Sequence, residues 1–297
     1  MNRRGFIMTM ATAAGAMSLS QSLKAMEDSL PEQDTMMPAF FIGHGSPMNA
    51  IEDNAVTRGW KEAMKNVPKP KAILCVSAHW LTKGTWVTAM PKPRTIHDFR
   101  GFPKELTEAT YPVSGSTEIA QAISSSISEP TVGLDQKWGL DHGAWSILLP
   151  VFPNTDVPVL EFSIDYDQPA QWHYELGQKL TGLRKRGVLI IGSGNIVHNL
   201  GMLNPRLADK GFDWAIAFDD KLKSLIQKQD HQSIIDYGKL GREATLSVPT
   251  PDHYYPLLYS LGLQTKFDRV SLFNEQSVMG SISMTSVKIE HDPSVSG

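Results

Sequence analysis

The sequence predicts an α/β domain with a central, mostly parallel sheet covered by helices on both faces. Any ligand site is expected beyond the carboxyl ends of the strands. Three observations predict this. The runs AILCV (72–76) and VLIIG (188–192) are apolar throughout rather than alternating, as in strands buried on both faces. Helix-period patterns separate the runs, as in βαβ units. A chain of 297 residues that is 41% hydrophobic can also fill a sizeable core. With no internal repeat or low-complexity block, residues 27–297 read as one domain.

The first 26 residues stand apart. MNRRGFIMTMATAAGAMSLSQSLKAM carries Arg3-Arg4, then Phe6-Ile7, then a soft stretch of Ala, Met, Gly and Ser, with no acidic residue before Glu27. It resembles a twin-arginine export signal, so a periplasmic location is expected. The apolar part is too short and soft for a stable membrane span. That route carries folded proteins, which suits a chain that takes up a cofactor before export.

LPEQDTMMP is a polar lead-in to a strand at 39–43. A helix follows at 53–67, with Asp53 or Asn54 as cap and Val56, Trp60 and Met64 four residues apart on one face. Pro68-Lys69-Pro70 breaks it and returns the chain to a strand at 71–77. β-rich runs at 85–90, 157–164, 187–192 and 269–273 read as strands, and 283–290 as an edge strand. Helical patterns occupy 115–128, 143–151, 169–184, 212–228 and 254–261. The loop 91–103 is long, but Phe99 and Phe102 make it unlike a linker.

A net charge of −3, with no basic run longer than Arg184-Lys185-Arg186, gives no footprint for nucleic acid. Cys75 is the only cysteine and lies inside an apolar run, so an intrachain disulfide and a Cys-based metal site are both excluded. It reads as a buried, inert thiol. Nothing in the sequence sets the oligomeric state.

Nine histidines remain to be sorted. His173 falls in a helix beside the stripe Trp172, Leu176, Leu180, Leu183 and is expected on the helix surface or at the core edge. His231 and His291 stand in polar surroundings and are expected to be solvated. His97, in RTIHDFRGFP beside Asp98, is either structural or at a pocket rim. His44, His79 and His253 each sit at a strand end or a loop-to-helix junction among small residues. His198 follows VLIIG through SGNIV. Strand ends are where α/β sheets gather ligands, and neutral imidazole suits zinc, iron, copper and nickel. His44, His79 and His253 are therefore the candidate metal ligands. In GLDHGAW, Asp141 and His142 lie between glycines where a helix starts, placed to face a pocket, and Asp141 also suits an N-cap. Gly192-Ser193-Gly194-Asn195 lacks the third glycine of a dinucleotide turn. No GxSxG, HExxH or P-loop occurs.

Taken in order, GHGSPMNA at His44, SAHW at His79, HDFRGFP at His97, WGLDHGAW at His142, GSGNIVHNL at His198 and PDHYYPLLY at His253 resemble the class III (LigB-like) extradiol ring-opening dioxygenases of the 4,5-DOPA dioxygenase type. The resemblance implies one divalent metal ion per chain, Zn²⁺ or Fe²⁺, held by His44, His79 and His253. It places His198 over the metal, as a catalytic residue or fourth ligand, and turns His142 toward a small catechol substrate that reacts with O₂. Asp141 and His97 are the further substrate-binding candidates.

The chemistry asks for such residues. Three ligands on one face leave positions open for both catechol oxygens. Ring opening needs a base for the second phenolic proton, for which His198 is the first choice and His142 the second. Dioxygen chemistry needs a redox-capable metal such as Fe(II), which zinc is not. Asp252 is expected to orient His253 rather than bind metal. Two other readings remain open at this point: a zinc-dependent hydrolase on the same fold, and a non-enzymatic, Memo-like binding protein.

Overall fold

The computed structural model describes residues 28–292 and 294. The expected export signal, residues 1–26, lies outside them. In chain order the main elements are β1 (Ala39–Gly43), α1 (Ala55–Met64), β2 (Ala72–Thr82), β3 (Thr85–Thr88), α2 (Lys104–Thr107), α3 (Thr117–Ser126), β4 (Val132–Asp135), α4 (His142–Val151), β5 (Val159–Asp165), α5 (Ala170–Lys185) and β6 (Val188–Gly194). There follow α6 (Asp213–Gln227), α7 (His231–Ile235), α8 (Arg242–Ser247), α9 (Tyr255–Gly262), β7 (Asp268–Phe273), β8 (Ser277–Val278), β9 (Ile282–Ser283) and β10 (Ser286–His291).

Eight strands form one sheet in the order β4-β3-β5-β2-β6-β1-β10-β7. The central four, β5, β2, β6 and β1, are mutually parallel. Period-two alternation sends their side chains to two cores. Phe40, Ile42, Ile73, Cys75, Leu189 and Ile191 face α1 and α4 with Trp60 and Trp145. Phe41, Leu74, Val76, Val188 and Ile190 face the opposite layer, which includes α5, α6 and α9. Both faces are thus covered by helices, as the unbroken apolar runs require.

Several boundaries differ from expectation, each for a local reason. The helix expected at 53–67 starts at Ala55 because Asn54 forms a capping box with Thr57. β2 continues past Ser77 to Thr82, with a register shift against β5 between Val76 and Leu81, so His79 lies within an irregular strand rather than after it. β4 was not expected: its four residues include Gly133 and Asp135, too weak a pattern to read. The strand expected at the sheet edge, here β10, pairs with both β1 and β7 in antiparallel register, and β7 takes the edge. Among the described residues no helix is long and apolar enough to cross a membrane.

Candidate metal centre and active site

Five imidazoles converge at the carboxyl ends of the parallel strands. His44 follows β1, and its main-chain N–H donates to the Gly194 carbonyl at the end of β6. His253 precedes α9, and its carbonyl accepts the Asn195 N–H. That approach needs glycine at 194, where a Cβ would lie 2.1 Å from the His253 oxygen. His79 comes from β2 and His142 opens α4. His198 is fixed by its N–H to the Ser247 carbonyl and by a bridge to Ile282. The His44 ring centroid is 5.1 Å from His79 and 5.2 Å from His253, and His79 is 4.9 Å from His253. His142 lies 3.9 Å from His79. His198 stacks on His253.

The hydrogen bonds assign the tautomers. Ser193 Oγ donates to the Gly143 carbonyl at 2.6 Å, so at 3.0 Å it accepts from His44 Nδ1–H. His253 Nδ1–H donates to Asp252, and His142 Nδ1–H donates to Asp98 Oδ2 at 2.9 Å. The same Asp98 oxygen lies 3.5 Å from His79 Nδ1. Asp98 Oδ1 also accepts the His142 main-chain N–H at 3.0 Å. His44, His253 and His142 each therefore turn an Nε2 lone pair away from the anchor.

Lone pairs brought together this way call for a cation. His44 Nε2 and His79 Nε2 approach to 3.2 Å. Burial, reinforced by the neighbouring imidazoles, holds both rings well below their ordinary pKa, so neither ring is itself that cation. His253 Nε2 is buried with no hydrogen-bond partner, an arrangement that is expensive unless a ligand completes it. The residues fit a divalent metal ion. Donor atoms within 4.8 Å of one another fall into two groups, His44/His79/His142 and His198/Asp252/His253. The orphaned Nε2 of His253 favours His253 over His142 as the third ligand.

The remaining electrostatics act on His198 and on the anchors Asp98 and Asp252. Burial first, then His253, lowers the His198 pKa to about 3. Burial alone would raise Asp98 and Asp252, but their bonds to His142 and His253 outweigh it and hold both below the usual carboxylate range. His79, Asp98, Asp252 and His198 are partly exposed, so the cluster opens to solvent on their side.

Two expected substrate contacts sit elsewhere. Asp141 is fully buried; its Oδ1 caps α4 through the Ala144 N–H and accepts the Ser77 hydroxyl, so it faces the protein interior. His97 Nε2 is bonded to the Ala109 carbonyl at 2.8 Å, and its ring packs on Phe99 and Trp145, which ties the loop rather than reaching the cluster. His173 is wholly buried against Tyr255 and Tyr259. His231, expected to be solvated, is half-buried and bonded to the Tyr174 hydroxyl at 2.8 Å, whereas His291 is exposed as expected. Sequence reasoning missed Asp98 and Ser193 as anchors. The one available signal was an acid directly after His97, and a serine between glycines at a strand end.

The fold and the imidazole cluster define an α/β protein of the metal-dependent type, with its centre at the carboxyl ends of a parallel sheet. The chain belongs to the LigB family, the catalytic LigB subunit of aromatic ring-opening dioxygenase, whose family model matches residues 38–282. It is 44% identical over 260 residues to the 4,5-DOPA dioxygenase extradiol of Escherichia coli K12, covering 86% of this chain and 95% of that one. Identity to the 4,5-DOPA dioxygenase extradiol of Beta vulgaris is 36%, covering 86% and 97%. A crystal structure of an uncharacterized protein from Escherichia coli K12 superposes with a TM-score of 0.74 at 40% identity, covering 85% of this chain and 99% of that one. These relatives give no support to the hydrolase or binding-protein readings.

Proposed function

We propose that this chain is an extradiol dioxygenase that opens the ring of a DOPA-like catechol with O₂, using one divalent metal ion held by His44, His79 and His253. The observation that carries the reading is the common tautomer of His44 and His253, each with Nδ1 anchored and Nε2 directed inward, together with the 3.2 Å approach of the His44 and His79 Nε2 atoms. The relatives' names supply the substrate class. The bound metal, Fe(II) in this reading, would bring catechol and dioxygen together and supply the redox chemistry that zinc lacks.

The chain's own residues would do the rest. Asp98 holds His142 Nδ1–H, which leaves His142 Nε2 as a proton acceptor toward the opening. His198, kept neutral by burial, is available to take the phenolic proton and return it later. Phe99, with its ring 5.5 Å from His142, forms an apolar wall suited to an aromatic ring. The test is anaerobic Fe(II) loading, addition of substituted catechols, and oxygen uptake with appearance of a yellow ring-opened product. A zinc-loaded sample should be inactive. Iron-loaded protein that binds catechol under air yet consumes no oxygen would sink the reading.

We infer separately that residues 1–26 direct export by the twin-arginine route to the periplasm, leaving 27–297 as the catalytic domain. Arg3-Arg4 followed by Phe6, with no acidic residue before Glu27, supports this. Changing both arginines to lysine should trap precursor in the cytoplasm. An unchanged periplasmic yield would defeat the idea.

A further inference from the structure

Beneath the histidines lie two carboxyls that the ring-opening chemistry leaves unused. Asp141 and Glu161 both have no solvent exposure. Glu161 stands on β5 opposite Cys75 of β2. Its Oε2 accepts the Asp141 main-chain N–H at 3.1 Å, which brings the two residues together. One oxygen of each, Asp141 Oδ2 and Glu161 Oε1, meets no N–H or O–H donor. The charged groups acting on Glu161 are Asp141 and Asp98, both acidic. Two neighbouring buried carboxyls resist ionising together, and one proton shared between those two oxygens would give each of them a partner.

Geometry decides which of them carries it. Asp141 Oδ1 accepts the Ser77 hydroxyl at 2.7 Å and the Ala144 N–H at 3.3 Å, at the N-terminus of α4. Both partners donate, so Asp141 is the acceptor at this junction. Glu161 accepts a single main-chain N–H, and burial first, then Asp141, pushes its pKa well above the carboxyl range.

We propose that Glu161 is a positioning residue: as an uncharged carboxylic acid it donates to Asp141, which clamps the strand bearing His79 to the helix that opens with His142. Ser77 completes the clamp, since its Oγ donates to Asp141 and accepts the His79 N–H at 3.2 Å. Glu161 thereby holds the two imidazoles in register without touching metal or substrate. The kinetic arm of the test rests on the dioxygenase reading, whereas the infrared and iron-binding arms do not.

Glu161→Gln keeps the shape, one N–H for Asp141 and one carbonyl for the Asp141 N–H, with no proton to lose. Glu161→Leu fills the space and removes the donor. The expected result is near wild-type iron binding and kcat in E161Q. E161L should lose about 10–100-fold in iron affinity or kcat, with KM changed less. The infrared difference between wild type and E161Q at neutral pH should contain the C=O stretch of a protonated carboxyl, shifted in D₂O. Absence of that band overturns the proposal even if E161L fails to fold. So does an E161Q protein as impaired in iron binding as E161L, or an E161L protein that matches wild type. Should the wild type consume no oxygen, the dioxygenase reading falls while the band and the iron titration still decide Glu161.

Discussion

The imidazoles of His198 and His253 lie face to face, 3.4 Å between centroids and 7° from parallel. Stacking places His198 alongside a proposed metal ligand, with its own backbone fixed by Ser247 and Ile282 rather than by the cluster. In the proposed function it exchanges protons with a bound catechol and is not needed to hold the metal.

His198→Ala should therefore keep stoichiometric iron and catechol binding while turnover falls by about 10²–10⁴-fold. His142→Ala should lose less. Oxygen consumption by iron-loaded protein measures the rates, and elemental analysis the metal. Loss of metal in H198A would make His198 a fourth ligand.

Single alanine substitutions at His44, His79 and His253 should each remove the metal while circular dichroism reports an intact fold. Each ring is replaced by a side chain with no donor atom, and the anchors Ser193, Asp98 and Asp252 stay in place. Any one variant that retains full stoichiometric metal would show that residue to be misassigned.

Asp98→Asn should lower kcat by roughly 10–100-fold with a smaller loss of metal. The neutral amide holds the His142 Nδ1–H less firmly, and Asp98 also faces His79. A D98N enzyme with unchanged kcat would mean that His142 needs no carboxylate to set its tautomer.

Gly143 sits where the first turn of α4 meets β2. A Cβ there would lie 2.4 Å from Ser77 Oγ and 2.9 Å from His79 Cδ2. Gly143→Ala should destabilise the protein by about 1–3 kcal/mol and weaken metal binding, since the atoms that must yield carry a ligand. Gly182 in α5 has nothing within 4 Å of its added Cβ, and Gly182→Ala should stabilise by about 0.4–1 kcal/mol. Urea unfolding of both variants tests the contrast.

Acid should destabilise the fold through His173. Burial, only partly offset by the Gln168 carbonyl and Asp165, lowers its pKa from 6.5 to about 4. Below about pH 6.5 the unfolded chain takes up a proton that the native state refuses. The contribution is complete above that pH and falls away as pH drops toward 4, by roughly 3 kcal/mol at full extent. Replacing His173 with Gln should reduce the slope of stability against pH between 4 and 6.5. An unchanged slope would place the titration elsewhere.

Hydrophobic patterning is local, and what it determined here is correspondingly local: apolar strands, the helices between them, and imidazoles delivered at the ends of β1 and β6. The motifs around His44, His79, His142, His198 and His253 also carried the family resemblance, because each is a short contiguous string. The partners were not legible. Ser193 anchors His44 across 149 residues and Asp98 anchors His142 across 44, and only the strand order brings such residues within hydrogen-bonding distance. The same holds for Asp141, whose neighbours Glu161 and Ser77 lie far from it in sequence, and for β10, whose partner β1 comes from the opposite end of the chain. A side chain's periodicity says which face it takes. Whether that face is solvent, substrate or another carboxyl depends on the elements packed against it, and those are set by long-range pairing that no window of neighbouring residues contains.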